Sequence, residues 1–352
     1  MPFSRAFRIY YRLRPFLPII MRQWMQRMRG GQIDVPDDWY LPHEVQTELG
    51  RSLFGKSIPL IHPWPDGHQA AWVLTHDVET ADGMKRLLNL ADLEAELGFR
   101  SVWNLVPYKY PIDPGIVRAL RDRGCEIGIH GYNHDGKLFL SQSIFERRAQ
   151  AINEALDKYA SVGFRAPMVH RNLAWMQSLN IEYDASCFDI DPYQALPGGT
   201  GLIWPMIVGR FVELPYTLPQ DHTLLIALGH DDLTLWRRKI AYLRARSGMI
   251  MALTHPDYLD TPARLDSYRQ MLDELRGDDA LWHALPREVA TWWRERDTSN
   301  IGDDAGQMAI EGPAAHRGRL CQLSVHDDGC VQFSHTVTAV ARPVPGRGER
   351  MG

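Results

Sequence analysis

Between residues 71 and 293, short apolar runs alternate with segments in which apolar residues recur at helical spacing. Strands are predicted at 71–75, 101–106, 125–129, 164–166 and 249–254, further β structure at 202–214, and helices at 84–97, after Pro114, at 143–160 and at 232–246. This alternation predicts an α/β fold with a mostly parallel sheet, either open or closed into a barrel. In both cases the functional site lies in the loops that follow the carboxyl ends of the strands.

Length and composition restrict the class of protein further. The 352 residues are 45% hydrophobic and 23% charged, which disfavours collagen-like, coiled-coil and wholly disordered chains. A net charge of −4 gives no general attraction to phosphates, so no nucleic-acid partner is expected. Because the composition shifts towards Asp, Ser, Gly and Ala near residue 297, we predict a basic extension over 1–60, a main domain over 61–296 and a partly disordered extension over 297–352.

The first 33 residues are both basic and apolar. They contain seven arginines and no acid before Asp34. Their longest uncharged stretch, 15–21, is far shorter than the roughly 20 residues that span a bilayer. The segment is therefore either an interfacial segment that binds anionic lipid or an arm that is packed on the main domain or disordered. With no signal peptide and no CxxC pair, we expect a cytoplasmic protein, with peripheral association at the inner membrane face through residues 1–33 left open.

The C-terminal extension contains one further pattern. Residues 320–325 and 330–333 flank a Gly-containing turn at 326–329, which predicts a small β-hairpin. Cys321 and Cys330 would face each other across it, most simply as unpaired thiols in a reducing compartment.

Ionisable residues recur directly after the predicted strands. The segments are Thr-His-Asp-Val-Glu at 75–79, His-Gly-Tyr-Asn-His at 130–134, Arg-Ala-Pro at 165–167 and Thr-His-Pro-Asp at 254–257. Since the carboxyl ends of parallel strands share one edge of a sheet, these side chains are expected to meet there.

His130 and His134 are four residues apart, so their imidazoles converge on one cation if the segment enters a helical turn. The spacing alone also arises by chance, but a carboxylate at a neighbouring strand end completes a two-His-one-carboxylate face. Asp77 and Glu79 point to the same side of an extended segment. One of them is expected to bind the cation and the other to accept a proton from water.

Two further strand-end residues have candidate roles. Arg165 is expected to hold the carboxylate base through a bidentate pair, the alternative being a surface arginine. His255 is expected to act as a general acid, held by an acid such as Asp184 or Asp189, the alternative being a core histidine. His76, on the opposite side of its strand from Asp77, is expected to be packed.

These four motifs, in this order, resemble those of the polysaccharide deacetylase family (carbohydrate esterase family 4, the NodB-like homology domain) over about residues 65–295. His-Gly-x-x-His at 130–134 is similar to its second motif, Phe-Arg-Ala-Pro at 164–167 to its third, 183–186 to the region of its fourth and Leu-Thr-His at 253–255 to its fifth. The resemblance implies a distorted barrel of seven strands, a Zn²⁺ or similar divalent ion and hydrolysis of an N-acyl group, or secondarily an O-acyl group, from a sugar.

The first motif departs from the family pattern. Where the family has Thr-Phe-Asp-Asp-Gly, this chain has Thr-His-Asp-Val-Glu, so Asp77 aligns with the proton-accepting aspartate and Val78 replaces a metal ligand. Glu79 is expected to complete the metal site with His130 and His134, although an exchange of roles between Asp77 and Glu79 is nearly as good. A similar Asp-Val-acid start occurs in deformylases acting on lipid-linked 4-formamido-arabinose, which implies a lipid-linked precursor as an alternative to a polysaccharide.

We therefore expect a metal-dependent carbohydrate deacetylase, with Asp77, Arg165 and His255 as catalytic residues and His130, His134 and Glu79 as metal ligands. The alternatives are a non-catalytic glycan-binding barrel, suggested by Val78, and a metal-dependent hydrolase of a non-sugar amide. The sequence does not specify the sugar, the acyl group, the ion, the oligomeric state or the role of the C-terminal extension.

Overall fold

The predicted alternation of strands and helices forms a strongly curled parallel sheet surrounded by helices. The computed structural model describes residues 9–10, 13, 17–194, 196, 199–230, 234–304, 307–325 and 331–335. The strands are β1 Ile58–Ile61, β2 Ala70–Val78, β3 Ser101–Leu105, β4 Glu126–His130, β5 Gly163–Arg165, β6 Tyr183–Asp184, β7 Met206–Val208, β8 Phe211–Glu213, β9 Met249–Thr254, β10 Leu281–His283, β11 Asn300–Asp304, β12 Gln307–Glu311, β13 Leu320–Val325 and β14 Val331–His335.

Most of the helices follow strands of this sheet, as the predicted alternation requires. They are α1 Ile19–Gly30, α2 His43–Leu53, α3 Ala81–Glu96, α4 Pro114–Asp122, α5 Gln142–Lys158, α6 Thr234–Arg244, α7 Pro262–Leu275 and α8 Pro286–Asp297, with shorter helical segments that include His222–Leu228. No helix in these described ranges is both long and apolar enough to cross a bilayer.

Seven parallel strands are neighbours in the order β9, β2, β3, β4, β5, β6, β8. Strand β10 pairs with the first residues of β2, and β7 pairs antiparallel with β8. Beyond β8, the N–H groups of Thr217 and Leu218 donate to the carbonyl of Met251 in β9 at 3.3 and 3.1 Å. These bonds bring the two ends of the sheet together, and the predicted distorted parallel α/β barrel is confirmed.

Local signals explain where the helices begin and end. The Thr80 hydroxyl accepts from the N–H of Gly83 at 3.0 Å and caps α3. The Asp113 carboxylate caps α4 in the same way, with Pro114 in the first turn. Gly98, just beyond the end of α3, has a φ of +83°, a conformation that opposes helix continuation.

The sheet is buried on both faces, because its strands alternate between two apolar clusters. In β2, Trp72 and Leu74 belong to the cluster under helices α3 to α7, whereas Ala71 and Val73 belong to a second cluster. The second cluster also contains Ile310, Ala314 and Leu320. Residues beyond 296 therefore pack onto the barrel, and the division of the chain at residues 60 and 296 stays a prediction.

The predicted C-terminal hairpin is present as β13 and β14, which pair antiparallel, and β1 pairs with β13 on its other side. In this pairing Cys321 lies opposite His335 and Val325 lies opposite Val331. Cys330 and the predicted turn at 326–329 lie outside the described residues.

At the other end of the chain, helix α1 packs against His222–Leu228. The Arg27 Nε donates to the carbonyl of Ile226 at 3.1 Å, and Arg29 Nη2 donates to the carbonyl of Gln194 at 3.0 Å. The described part of the N-terminal segment is thus packed on the barrel, near the carboxyl ends of its strands.

Candidate active site

The carboxyl edge of the sheet brings together the residues that the sequence placed at strand ends. Glu79 follows β2, His134 follows β4 and His255 follows β9, and all three line one pocket together with Asp77. His76, on the other side of β2, is fully buried and stacks on Trp103. The alternation along β2 therefore separates the pocket side from the packed side as expected.

The loop after β4 is shaped by an unusual backbone. The helical turn that would let His130 and His134 converge does not form, because residues 132–136 are bends. Gly131 has a φ of +64°, and a Cβ atom built on it would lie 2.3 Å from the Pro167 ring. His134 also has a positive φ, +59°. A tight loop, not a helix face, brings the two imidazole rings to a centroid distance of 5.0 Å.

Glu79, His130 and His134 form a group that could hold a metal ion, because one ligand atom from each lies within 4.8 Å of the others. His134 Nε2 lies 2.8 Å from Oε1 of Glu79. His130 Nδ1 lies 3.1 Å from the carbonyl of Arg165, so this nitrogen carries the hydrogen and Nε2 carries the lone pair. His130 Nε2 is buried without a hydrogen-bond partner among the described residues. Such an arrangement fits a cation bound between these side chains.

The pKa values of His130 and Glu79 favour the protonation states that bind metals. Burial lowers the pKa of His130 to about 4, so its imidazole is neutral at neutral pH. Burial acts to raise the pKa of Glu79, but the neighbouring histidines, above all His134, outweigh it and hold this pKa well below its ordinary value. A neutral imidazole and an ionised carboxylate are the forms that bind metals.

Asp77 lies beside the metal-ligand group but is held by different partners. Its Oδ1 accepts from Asn104 Nδ2 at 2.8 Å and from Arg165 Nη1 at 3.1 Å. Its Oδ2 lies 3.6 Å from His130 Nε2. Burial acts to raise the pKa of Asp77, but the nearby His130, Arg165 and His255 and the Asn104 bond outweigh it and lower this pKa overall. Asp77 is thus an oriented, ionised carboxylate with one oxygen towards His130.

Arg165 is fully buried, so it is not a surface arginine. The expected bidentate pair with a carboxylate is wrong, since only Nη1 reaches Asp77. The same Nη1 donates to the Thr75 hydroxyl at 2.8 Å, and Nε donates to the carbonyl of Ala185 at 2.7 Å. The guanidinium therefore links β2 to the residue that follows β6, because a deeply buried donor group needs acceptors.

His255 is held by an acid that the sequence did not indicate. Its Nδ1 lies 2.7 Å from Oδ1 of Asp221, and its backbone N–H donates to Oδ2 at 2.6 Å. Its Nε2 lies 3.7 Å from Oε1 of Glu79. Burial acts to lower the pKa of His255, but Asp221, with smaller contributions from Glu79 and Asp77, raises it to about 10.

The acids expected beside His255 lie elsewhere. Asp184 accepts from the Ser186 hydroxyl at 2.6 Å, and Asp189 lies 2.5 Å from Lys239 Nζ in a buried ion pair. Both are on or just after β6 and face other partners, so this expectation is wrong. Asp221 directly precedes the helical segment His222–Leu228, and the sequence contained no periodicity that would single it out.

Asn104 is a second residue that the sequence reasoning missed. It is paired in register with Asp77 across β2 and β3 and is almost fully buried. A polar residue inside the apolar run 101–106 was the available signal, because a buried polar group requires a partner.

The pocket has a wall that comes from the N-terminal helix. Gln26, Arg29 and Gly30 of α1 line it, facing the side formed by Glu79 and His255. Met168 and Val169 also line it, both with positive φ, which is strained for a β-branched valine and common near functional sites.

The positions of these side chains allow each to take a different chemical role. Two imidazoles and a carboxylate can bind a cation, a separately held carboxylate faces the same space, and an imidazole paired with an acid lies across from it. This is the inventory required for hydrolysis at a carbonyl.

No protein-family model matches this chain, and no curated protein sequence matches it significantly. Among solved structures, a putative polysaccharide deacetylase from Mycobacterium smegmatis is similar at 20% identity and a TM-score of 0.55, over 70% of this chain and 98% of that one. A probable polysaccharide deacetylase from Pseudomonas aeruginosa PAO1 is similar at 17% identity and 0.51, over 66% and 94%.

Puue allantoinase is similar to a comparable degree, with 16% identity and a TM-score of 0.50 over 66% of this chain and 93% of that one. At these identities the likeness concerns the fold. The chain therefore has the distorted parallel barrel fold of the polysaccharide deacetylase structures.

Proposed function

We propose that this protein hydrolyses an N-acyl group from a sugar in a polysaccharide or a lipid-linked glycan precursor, with the help of a divalent cation. The observation that carries the proposal is the convergence of Glu79, His130 and His134, because Glu79 and His134 also line one pocket with Asp77 and His255. The resemblance of the strand-end motifs to those of the polysaccharide deacetylases, and the shared fold, point the same way.

Glu79, His130 and His134 would hold the cation, for which we propose Zn²⁺ because imidazole and carboxylate ligands suit it. When bound there, the ion supplies Lewis-acid activation of the acyl carbonyl and of the attacking water. Glu79 would supply a carboxylate ligand in place of Val78, whose side chain has no oxygen.

Asp77 is the proposed general base. Its Oδ1 is occupied by Asn104 and Arg165, so Oδ2 is the oxygen that accepts a proton. Asn104 and Arg165 act as positioning groups, because their hydrogen bonds fix the carboxylate and favour its ionised form.

His255 is the proposed general acid. Asp221 accepts the Nδ1 hydrogen of His255, which leaves Nε2 as the nitrogen that transfers a proton within the pocket. An amine leaving group requires such a donor, because it does not depart as an anion at neutral pH.

In the proposed reaction, the oxygen of water bonds to the acyl carbon while its proton passes to Asp77 Oδ2. The bond between the acyl carbon and nitrogen then breaks as His255 Nε2 donates a proton to the nitrogen. The products are a carboxylic acid, which ionises, and the free amino sugar.

The experiment is removal of metal followed by its return, on N-acetylated oligosaccharides and on a lipid-linked N-acetyl sugar. We expect release of acetate to stop after chelation and to return with Zn²⁺ or another divalent ion. Hydrolysis that continues in the stripped protein, with no metal detected by atomic emission, would exclude the proposal.

A second candidate is hydrolysis of a non-sugar amide by the same residues. It is supported by the comparable structural similarity to Puue allantoinase. Assaying linear and cyclic amides beside the N-acetyl sugars separates the two candidates, because only the class that fits the pocket should be turned over. A cytoplasmic location stays a prediction.

A further inference from the structure

Helix α1 presents its apolar residues to solvent. Four residues spaced as one helical stripe are exposed, namely Met21 (40%), Trp24 (59%), Met25 (39%) and Met28 (50%). We refer to these four residues as the outer stripe. A helix on a globular protein normally turns its apolar stripe towards the core and its polar residues outward. In α1 an apolar stripe instead faces solvent.

Two residues on the inward side of α1, Gln26 and Gly30, are polar or small. Gln26 Oε1 lies 3.2 Å from His222 Nε2, and Gly30 is buried so close to the carbonyl of Ala227 that an added Cβ would lie 2.9 Å from the oxygen. Polar bonds and close backbone packing therefore attach α1 to the barrel. The outer stripe is not needed for that attachment.

Basic residues border the outer stripe on both sides. At 100° per residue, Arg27 lies on one side of the stripe and Arg22 and Arg29 lie on the other. Arg27 and Arg29 bond to backbone carbonyls, which carry no formal charge, so both keep their positive charge. An exposed apolar stripe between arginines is the pattern of a helix that lies in the headgroup region of an anionic bilayer.

The surrounding sequence adds to this complementarity. The first 33 residues contain seven arginines and no acidic residue, although the chain as a whole is negatively charged. Positive charge is therefore concentrated in the segment that carries the outer stripe, where it attracts anionic lipid.

We propose that this protein docks on a membrane surface that contains anionic lipid, through the outer stripe and its flanking arginines. Because α1 also forms a wall of the pocket, docking brings the pocket to the lipid surface. If the proposed function holds, the consequence is a substrate that is itself attached to lipid rather than a free polymer.

The test is flotation of the full chain with vesicles of phosphatidylcholine alone and of phosphatidylcholine mixed with phosphatidylglycerol, at low and high salt. We expect binding to the mixed vesicles, and a fall of about tenfold or more with high salt or without phosphatidylglycerol. Equal binding to both vesicle types, or none, would overturn the proposal.

The test variant is the double substitution Trp24→Ser/Met28→Ser in the outer stripe. The control is the double substitution Phe54→Ser/Met308→Ser, at two residues elsewhere that are similarly exposed (60% and 41%). Only the stripe variant should lose flotation, while both keep the melting temperature of the wild type. If the stripe variant floats normally, or if it instead converts a dimer to a monomer on size exclusion, the surface is not a membrane-docking site.

An activity measurement separates this proposal from the proposed function. The stripe variant should hydrolyse a soluble N-acetyl oligosaccharide as the wild type does, but should lose turnover of a lipid-linked N-acetyl sugar presented in mixed vesicles. Wild-type protein that floats but releases no acetate would refute the proposed function and leave membrane docking intact. Wild-type protein that releases acetate but does not float would refute docking alone.

Discussion

Asp221 Oδ1 lies 2.7 Å from Nδ1 of His255, and its other oxygen accepts from the backbone N–H of the same histidine. Both contacts are buried, and the two residues are 34 positions apart. A single carboxylate thus fixes both the ring and the main chain of His255. This dual contact orients Nε2 towards the pocket.

Replacing this acid tests whether it positions His255. We expect Asp221→Asn to lower kcat by about 100-fold or more with little change in KM, because Asn holds the ring less well in its protonated form. Bound metal, measured by atomic emission, should be unchanged. The surface change Asp92→Asn is the control. A rise in KM with kcat unchanged would contradict the positioning role.

Substitutions of the two carboxylates at the end of β2 should have different effects on metal binding and on kcat. Glu79→Gln is expected to lose bound metal on dialysis, because an amide is a weaker ligand than a carboxylate. Asp77→Asn should keep the metal and lose about 100-fold or more in kcat, because the proton acceptor is missing. The exposed Asp82→Asn is the control for both. The reverse pattern of metal loss would exchange the two roles.

The loop that brings the two histidines together should depend on Gly131. Gly131→Ala forces both a positive φ and an overlap with Pro167, so we expect the free energy of unfolding to fall by about 2–4 kcal/mol. Gly98→Ala is matched in φ but has no atom within 4 Å of the added Cβ, and should cost only about 1–2 kcal/mol. Denaturant unfolding measures both. Equal losses would show that the contact with Pro167 contributes nothing.

Glu126 should make stability depend on pH. Burial raises its pKa from 4.5 to about 7, while it accepts a hydrogen bond from Tyr183 Oη at 2.9 Å. The folded state then binds the proton more tightly than the unfolded state, so this contribution is full below pH 4.5 and is lost as pH rises to about 7. The shift corresponds to about 3 kcal/mol.

Glu126→Gln removes this titration. The difference in free energy of unfolding between wild type and Glu126→Gln should therefore fall by about 3 kcal/mol between pH 4.5 and 7, as measured by denaturant unfolding across that range. The exposed Glu182→Gln should show no such trend relative to wild type. A difference that does not vary with pH would mean that Glu126 has the same pKa in the folded and unfolded states.

Part of the site follows from sequence-local physics. Alternation along β2 predicts that Asp77 and Glu79 share a face and that His76 is packed, and parallel strands place the residues that follow β2, β4 and β9 at one edge. These inferences need only the periodicity of strands and the direction of the chain. These inferences identify which side chains line the pocket, but they do not give the distances between them.

Other features required the folded chain. The register of β2 against β3 pairs Asn104 with Asp77, and the path from β8 to β9 places Asp221, rather than Asp184 or Asp189, beside His255. Bends at 132–136 bring His130 and His134 together without a helical turn, since Gly131 and His134 adopt positive φ and Gly131 lies against Pro167. Each depends on contacts between distant segments.

The sequence by itself determined the order of strands and helices, the residues at the strand ends and the basic, apolar character of the first 33 residues, because these depend on local pattern and charge. Only the tertiary structure decided which acid holds which base and which side of α1 faces solvent. Those outcomes are set by packing, where buried polar groups must find partners across the fold.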